Sequence, residues 1–175
     1  PKRLLPGGGA RIGALAALPG RADALLAAVS SPSAAAVVAC EVSASGVVAV
    51  VGSGVTRLKV GDEVWADTGG VKGVTGSMAQ YALVSEAQTG LKPTSLNFTE
   101  AGSIPLVGPT ALEMLQKTGA PWTNRTKVAV AITSGTGGTG FMSGQLAKHA
   151  FGAAHVVTAA SGADKIAFVK SVGAD

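Results

Sequence analysis

The sequence predicts an α/β protein: a small β-barrel or sandwich portion followed by a strand, loop, helix, strand, helix unit. Three observations predict it. A continuous apolar run at 127–133 leads into a glycine-rich loop at 135–140 and then into a helical stretch. Upstream, short β-branched runs alternate with glycine turns. The composition completes the pattern: 25 of 175 residues are glycine and only 4% are aromatic, so Ala, Val and Gly must let helices lie close on sheets. With 47% hydrophobic residues the chain can bury a core, which excludes global disorder.

Residues 1–39 form an atypical opening segment. Lys2, Arg3, Arg11 and Arg21 face a single acid, Asp23, in an Ala- and Ser-rich background. That composition resembles a transit peptide, and a cut or mistranslated gene end accounts for it equally well. Glycines 7–9 and Pro19-Gly20 break the chain, residues 21–30 suit a short Ala/Leu helix, and residues 31–39 read as a connector. Residues 47–51 read as a buried strand, 52–54 and 60–63 as turns, 64–66 as a second strand and 79–84 as a third, with a glycine-rich loop at 68–76. Residues 100–118 look helical in two pieces. Thr99 and Glu100 open the first, Pro105 and Pro109 interrupt it, and the second runs from Thr110 with Ala111, Leu112 and Leu115 on one side.

Residues 127–133 suit a strand buried on both faces. The helix expected at 138–150 sets Met142, Leu146 and Ala150 on one face, and Gly152 is its stop. A second strand follows at 154–158. Ser161 is the expected cap of the last helix, with Asp164 at capping-box spacing, a buried stripe of Ile166, Val169 and Val172, and Gly173 at its end.

Several function classes fall away. The net charge of +4 is scattered, with neither a basic stripe nor interleaved aromatics, so nucleic acid is not an expected partner. No stretch of 18 strongly apolar residues suggests a membrane span. The one cysteine, Cys40, allows no internal disulfide and reads as a buried free thiol in a reducing compartment. The triplets at Asn97 and Asn124 match glycosylation sequons, a pattern that arises often by chance.

The chemistry lies in Gly135-Thr136-Gly137-Gly138-Thr139-Gly140. A G-x-G-x-x-G pattern after a strand and before a helix is a dinucleotide-binding fingerprint. The first glycine permits a sharp turn, the second lets backbone approach a pyrophosphate, and the third lets helix and strand pack closely. The helix N-terminus then offers free N–H groups to the phosphates. A phosphate-binding P-loop needs Lys and then Ser or Thr after the last glycine, whereas Phe141 and Met142 stand there. The competing reading is a glycine-rich turn with no ligand.

Cofactor choice follows from the second strand. An NAD site wants an acid at its end to take the ribose hydroxyls. Here the end reads Thr158-Ala159-Ala160-Ser161. Ser161 and Lys165 could instead reach a 2′-phosphate, which points to NADP(H); the bland alternative is a solvated lysine on a helix face.

Four blocks resemble the medium-chain dehydrogenase/reductase superfamily in order and spacing: GVVAVVGSGVTRLKVGDEVWA (46–66), GSMAQYALVSE (76–86), LKPTSLNFTEAGSIPLVGPTALEML (91–115), and the loop-to-end segment from 133 to 175. The chain is most similar to its zinc-free quinone-oxidoreductase and enone-reductase branch. The resemblance implies a GroES-like β domain at 40–100, a connecting helical segment at 101–126 and a partial Rossmann domain at 127–175. It implies hydride transfer from NADPH to a small-molecule quinone or α,β-unsaturated carbonyl. By position, Gly135, Gly137, Gly138 and Gly140 would hold the pyrophosphate, Lys165 and Ser161 would face the 2′-phosphate, and Thr110 would sit near the nicotinamide.

Zinc-dependent members carry a His-Glu pair ahead of the strand at 46–51. This chain has Cys40-Glu41 there and keeps both histidines, His149 and His155, in the later half, so no metal is expected. No catalytic acid stands out; Ser77 and Tyr81 are candidates by residue type alone. Family members run longer, and a two-strand piece of parallel sheet would leave bare edges. That motivates a second reading, a non-catalytic subunit that keeps a nucleotide-binding half-fold within a homodimer or larger assembly. The expected compartment is the cytoplasm, with a mitochondrion or plastid as the alternative.

Overall fold

The computed structural model describes residues 24–28, 43–70, 77, 81–123 and 127–175; for 24–28, 70 and 81 it describes the backbone. The expectations for Cys40, for the sequon at Asn124 and for the segments 1–23 and 29–39 lie outside these residues. The chain divides into two compact units between Pro105 and Leu106.

In the first unit the described strands are β1 (Ala24–Ala28), β2 (Ser43–Val51), β3 (Glu63–Asp67), β4 (Tyr81–Ser85) and β5 (Thr89–Leu91). They form one sheet in the order β4-β1-β2-β3-β5, and every neighbouring pair is antiparallel. Residues 24–28 are thus a strand, where their Ala/Leu composition suits a helix. Pairing decides it: Leu25 stands opposite Val51 on one side and Val84 on the other, so the backbone is satisfied from both flanks. Such pairing outweighs a weak local preference.

β2 is longer than its valine run: Ser43 to Gly46 are buried in succession, and alternation begins only in the run itself. Val48 is fully buried while its neighbour Val47 is exposed. β3 alternates in the same way, with Val64 and Ala66 inward. Val48, Leu58, Val64, Ala66 and Val84 make the core of this unit.

The chain leaves the sheet over a buried cation. Lys92 Nζ lies 3.2 Å from Glu63 Oε2 and donates to the carbonyls of Pro93 at 3.2 Å and Leu96 at 2.6 Å. Phe98 presents its ring to the same ammonium, 5.2 Å away. Burial costs this charge little because each ammonium proton has an acceptor. Helix α1 (Phe98–Gly102) follows. Its cap is Asn97 rather than Thr99: Asn97 Oδ1 accepts from Glu100 N–H, and Glu100 Oε2 accepts from Asn97 N–H, both at 2.9 Å.

The second unit opens with α2 (Val107–Lys117), which starts before Pro109 rather than after it. Proline in the first helical turn costs no hydrogen bond, because those N–H groups have no intrahelical partner. Ala111 and Leu115 face inward, and Leu112 is left partly exposed. Strands β6 (Ala129–Ile132) and β7 (His155–Thr158) pair in parallel, with helix α3 (Gly138–Gln145) between them in sequence. The helix continues through Leu146–Ala150 in π geometry, closed by Phe151 N–H on the Leu146 carbonyl at 2.9 Å.

The fully buried residues of α3 and its continuation are Ser143 and Ala147; of the expected stripe, Leu146 packs partly buried against the core, Met142 is half-buried and Ala150 is exposed. Small residues at the buried positions let the helix lie close to Ala153 and Val156. Gly152, with φ of +69°, is the stop the sequence predicts. Trp122 and Phe151 meet edge to face at the rim of the core, 5.9 Å between ring centres. β6 and β7 bury only one face among the described residues; Val157 on the other is 57% exposed.

Helix α4 (Ala163–Ser171) ends at Gly173, whose φ is +114°. Its expected stripe of Ile166, Val169 and Val172 reduces to Val169; Ile166 is exposed and Val172 half-buried.

Two carboxylates tie distant segments and titrate low. Glu86 lies below its ordinary value of 4.5, chiefly because it accepts the Arg57 backbone N–H, at 2.5 Å, and that of Thr56, at 3.0 Å. Asp175 lies below its ordinary 3.8, chiefly through the Val156 N–H at 2.7 Å and then Lys148 at 3.0 Å. A carboxylate depressed by folding stabilises the fold above its unfolded pKa, and the gain disappears as pH falls through the folded value. Melting temperature is therefore expected to drop as pH is lowered from about 5 to about 3. In thermal melts, E86Q and D175N should each flatten that slope; a variant as acid-sensitive as the parent counts against its carboxylate.

Candidate nucleotide-binding site

The loop expected to hold phosphates sits where β6 hands the chain to α3. Gly137 is the helix cap in extended conformation, and no side chain caps this end. The first-turn N–H groups of α3 therefore face outward with no side-chain acceptor, at the positive end of the helix. Gly137 N–H donates to the Ser134 carbonyl at 3.3 Å, and Phe141 N–H to the Gly137 carbonyl at 2.8 Å, which fixes the turn.

Two glycines are dictated by close approach. A side chain at Gly140 would run into the carbonyl oxygen of Ser134, because the first turn of α3 lies directly on the strand end. A side chain at Gly135 would overlap Thr158 of β7. Thr158 Oγ1 donates to the Ile132 carbonyl at 3.0 Å, and Gly135 N–H reaches the Ala159 carbonyl at 3.3 Å. The φ of Gly135 is not in the left-handed region, so to its expected place at the turn the structure adds this close fit to Thr158.

The structure brings Gly135, Thr136, Gly137, Gly138, Thr139 and Gly140 to the ends of the two parallel strands. At Gly138 an added Cβ would stand 2.9 Å from Val107 Cγ1, so the first turn of α2 borders the loop. Thr110 lies one turn further along α2, half-buried, with its hydroxyl donating to the Leu106 carbonyl at 2.7 Å.

Ser161 and Lys165 follow the end of β7, and both are exposed. Ser161 is not the helix cap. Gly162 is, with φ of +86° and no side-chain bond, so the capping box with Asp164 does not form and Asp164 stands in the first turn. Between Thr158 and Gly162 no acid occurs. Lys165, in the first turn of α4, makes no ion pair among the described residues.

His149 is exposed, with Nε2 3.3 Å from the Val172 carbonyl, and His155 Nδ1 is 3.6 Å from Asp175. Among the described residues no three His, Cys, Asp or Glu side chains converge. Ser77 is fully buried in the first unit, and the side chain of Tyr81 lies outside the described residues. Sequence reasoning missed the parts of Ser134, Val107 and Thr158, whose atoms crowd the loop from outside the glycine pattern.

An antiparallel β unit followed by a parallel βαβα unit, with glycines at the strand-to-helix turn, is the architecture of reductases that join a GroES-like domain to a Rossmann-type domain. Residues 21–94 match the alcohol dehydrogenase GroES-like domain family. The chain is 43% identical over 130 residues to 2-methylene-furan-3-one reductase of Solanum lycopersicum, covering 71% of this chain and 32% of that protein. It is 39% identical over 129 residues to the chloroplastic NADPH-dependent alkenal/one oxidoreductase of Arabidopsis thaliana, with the same 71% and 32% coverage. The solved quinone oxidoreductase of Coxiella burnetii superposes with a TM-score of 0.70 at 28% identity, over 89% of this chain and 53% of that one. The chain belongs to the medium-chain dehydrogenase/reductase superfamily, among quinone-oxidoreductase and enone-reductase relatives. It spans about a third of the length of the curated relatives it matches.

Proposed function

We propose that this chain is the NADPH-binding part of an oxidoreductase that reduces a quinone or an α,β-unsaturated carbonyl without zinc. The observation that carries the reading is the uncapped N-terminus of α3, set over the ends of β6 and β7 by Gly140. That geometry fits a pyrophosphate, which would accept from the first-turn N–H groups and lie against the helix dipole. The bound cofactor supplies the hydride. The chain's part is to bind and orient it.

Thr110, one turn from the loop-bordering Val107, is assigned to the nicotinamide side. Its hydroxyl proton is held by Leu106, which leaves the oxygen free to accept. Lys165 and Ser161 are assigned to the 2′-phosphate, because no acid between Thr158 and Gly162 is there to repel it or to claim the ribose hydroxyls. Two relatives whose names denote enone or alkenal chemistry support the substrate class. No described helix is long and apolar enough to cross a membrane. The cytoplasm is the proposed compartment; the chloroplastic relative keeps the plastid as its rival. No observation favours the non-catalytic alternative.

The test is a titration of the full chain with NADPH and NADH, followed by assay of NADPH oxidation against a benzoquinone and an enone. NADPH is expected to bind about tenfold or more tighter than NADH, as one charge-assisted contact to the 2′-phosphate provides. K165A should remove most of that preference and leave NADH binding as it was. Equal affinity for both cofactors in the parent chain would refute the assignment.

A further inference from the structure

Helix α4 is held mostly at its far end. Val169 is the one buried residue among its nine. Beyond it, Ala174 N–H returns to the Val169 carbonyl at 3.0 Å, and Asp175 ties the chain to Val156 and Lys148. The near end has no such anchor. Its cap is Gly162 with no side-chain bond, and Ala163 to Phe168 are all exposed. Yet this near end carries Lys165.

Among the described residues, a ring stack ties that half of the helix to the loop. Phe168 stacks on Phe141, with ring centres 5.3 Å apart and planes 14° from parallel. Phe141 is the residue after Gly140, in the first turn of α3, so the stack joins the phosphate-loop helix directly to α4. Phe168 lies one turn beyond Lys165, and helical side chains lean toward the N-terminus of their helix. The Phe168 ring therefore leans over the turn that presents the lysine. It stays 45% exposed in doing so, an arrangement that core burial does not account for.

We infer that Phe141 and Phe168 are positioning residues for cofactor choice: their stack fixes the distance between the pyrophosphate loop and Lys165, and so sets the preference for NADPH over NADH. The inference rests on the assignment of Lys165 to the 2′-phosphate. The role assigned to each ring is indirect, through the packing of α3 on the helix that carries the lysine.

The experiment is a comparison of NADPH and NADH dissociation constants for the full chain and for F168A, F141A, F168Y, K165A and the K165A/F168A pair. F168A and F141A should each weaken NADPH binding about two- to tenfold, the range one aromatic pair provides, with NADH affinity unchanged. F168Y keeps the stack and should keep the ratio. Adding F168A to K165A should lower the ratio no further. Unchanged NADH affinity also shows that each variant is folded. If F168A weakens both cofactors equally, the ring has a structural role only and the inference is overturned. If K165A lowers the ratio and F168A does not, the positioning inference alone fails. If K165A leaves the ratio unchanged, or the parent chain binds no NADPH, the assignment beneath it fails too.

Discussion

G140A is expected to weaken NADPH binding by this chain about a hundredfold. The added methyl has nowhere to go: the obstacle is the backbone carbonyl of Ser134, at the end of β6, and no rotamer can move it aside. Relief would require α3 to lift off the strand or the loop to unwind. Either displaces the first-turn N–H groups that are proposed to face the pyrophosphate. Overpacking against rigid structure costs about 3 kcal/mol or more, which is about a hundredfold in a dissociation constant. Calorimetric titration of parent and G140A, with a thermal melt of each, checks this. An alanine variant that binds within a few fold of the parent would mean that the approach of helix to strand is looser than described.

G137A provides the contrast. A methyl there meets Ser134 Oγ at 3.0 Å, the end of a side chain that can rotate away. The same motif therefore contains glycines required by backbone and glycines required by neighbours that can yield, and the sequence pattern treats them alike.

That difference shows what the sequence could tell. The loop, the two parallel strands and the stops at Gly152 and Gly173 were legible, because each depends on residues within a few positions of one another. The strand at Ala24–Ala28 was not. Its local chemistry suits a helix, and its pairing partners, Val47–Val51 and Tyr81–Ser85, lie far along the chain. The cap of α4 was misread for a related reason. Ser161 has the right chemistry, but the left-handed backbone at Gly162 starts the helix one residue later. The fully buried positions of α3 and its continuation, Ser143 and Ala147, are small, so a spacing of large apolar residues does not mark them. The stack of Phe141 on Phe168 has no signal in either helix alone. Of the candidate site, then, the glycines were legible, and the side chains that press on them were not.

The second large expected effect turns on one of those side chains. G135A should weaken NADPH binding severely, and the double variant G135A/T158G should recover much of the loss. The three atoms nearest an added methyl belong to the Thr158 side chain: its Cγ2 at 2.7 Å, its Cβ at 2.8 Å and, closest of all, its hydroxyl. Removing that side chain clears the space. T158G alone is not neutral. It loses the hydrogen bond to the Ile132 carbonyl, and glycine in a strand costs about 0.5–1 kcal/mol in backbone freedom. Because the two residues fill one space, the pair should cost less than the sum of its parts, with a coupling of about 1–3 kcal/mol. Denaturant melts and NADPH titrations of the four proteins in the cycle measure that coupling. If the double variant is no better than G135A, then Gly135 is required by the backbone turn or by the bound phosphates. A positive coupling would show instead that this glycine answers to β7: the first residue of the phosphate loop is a glycine because Thr158 stands over it, and a different residue at the strand end would allow a different one in the loop.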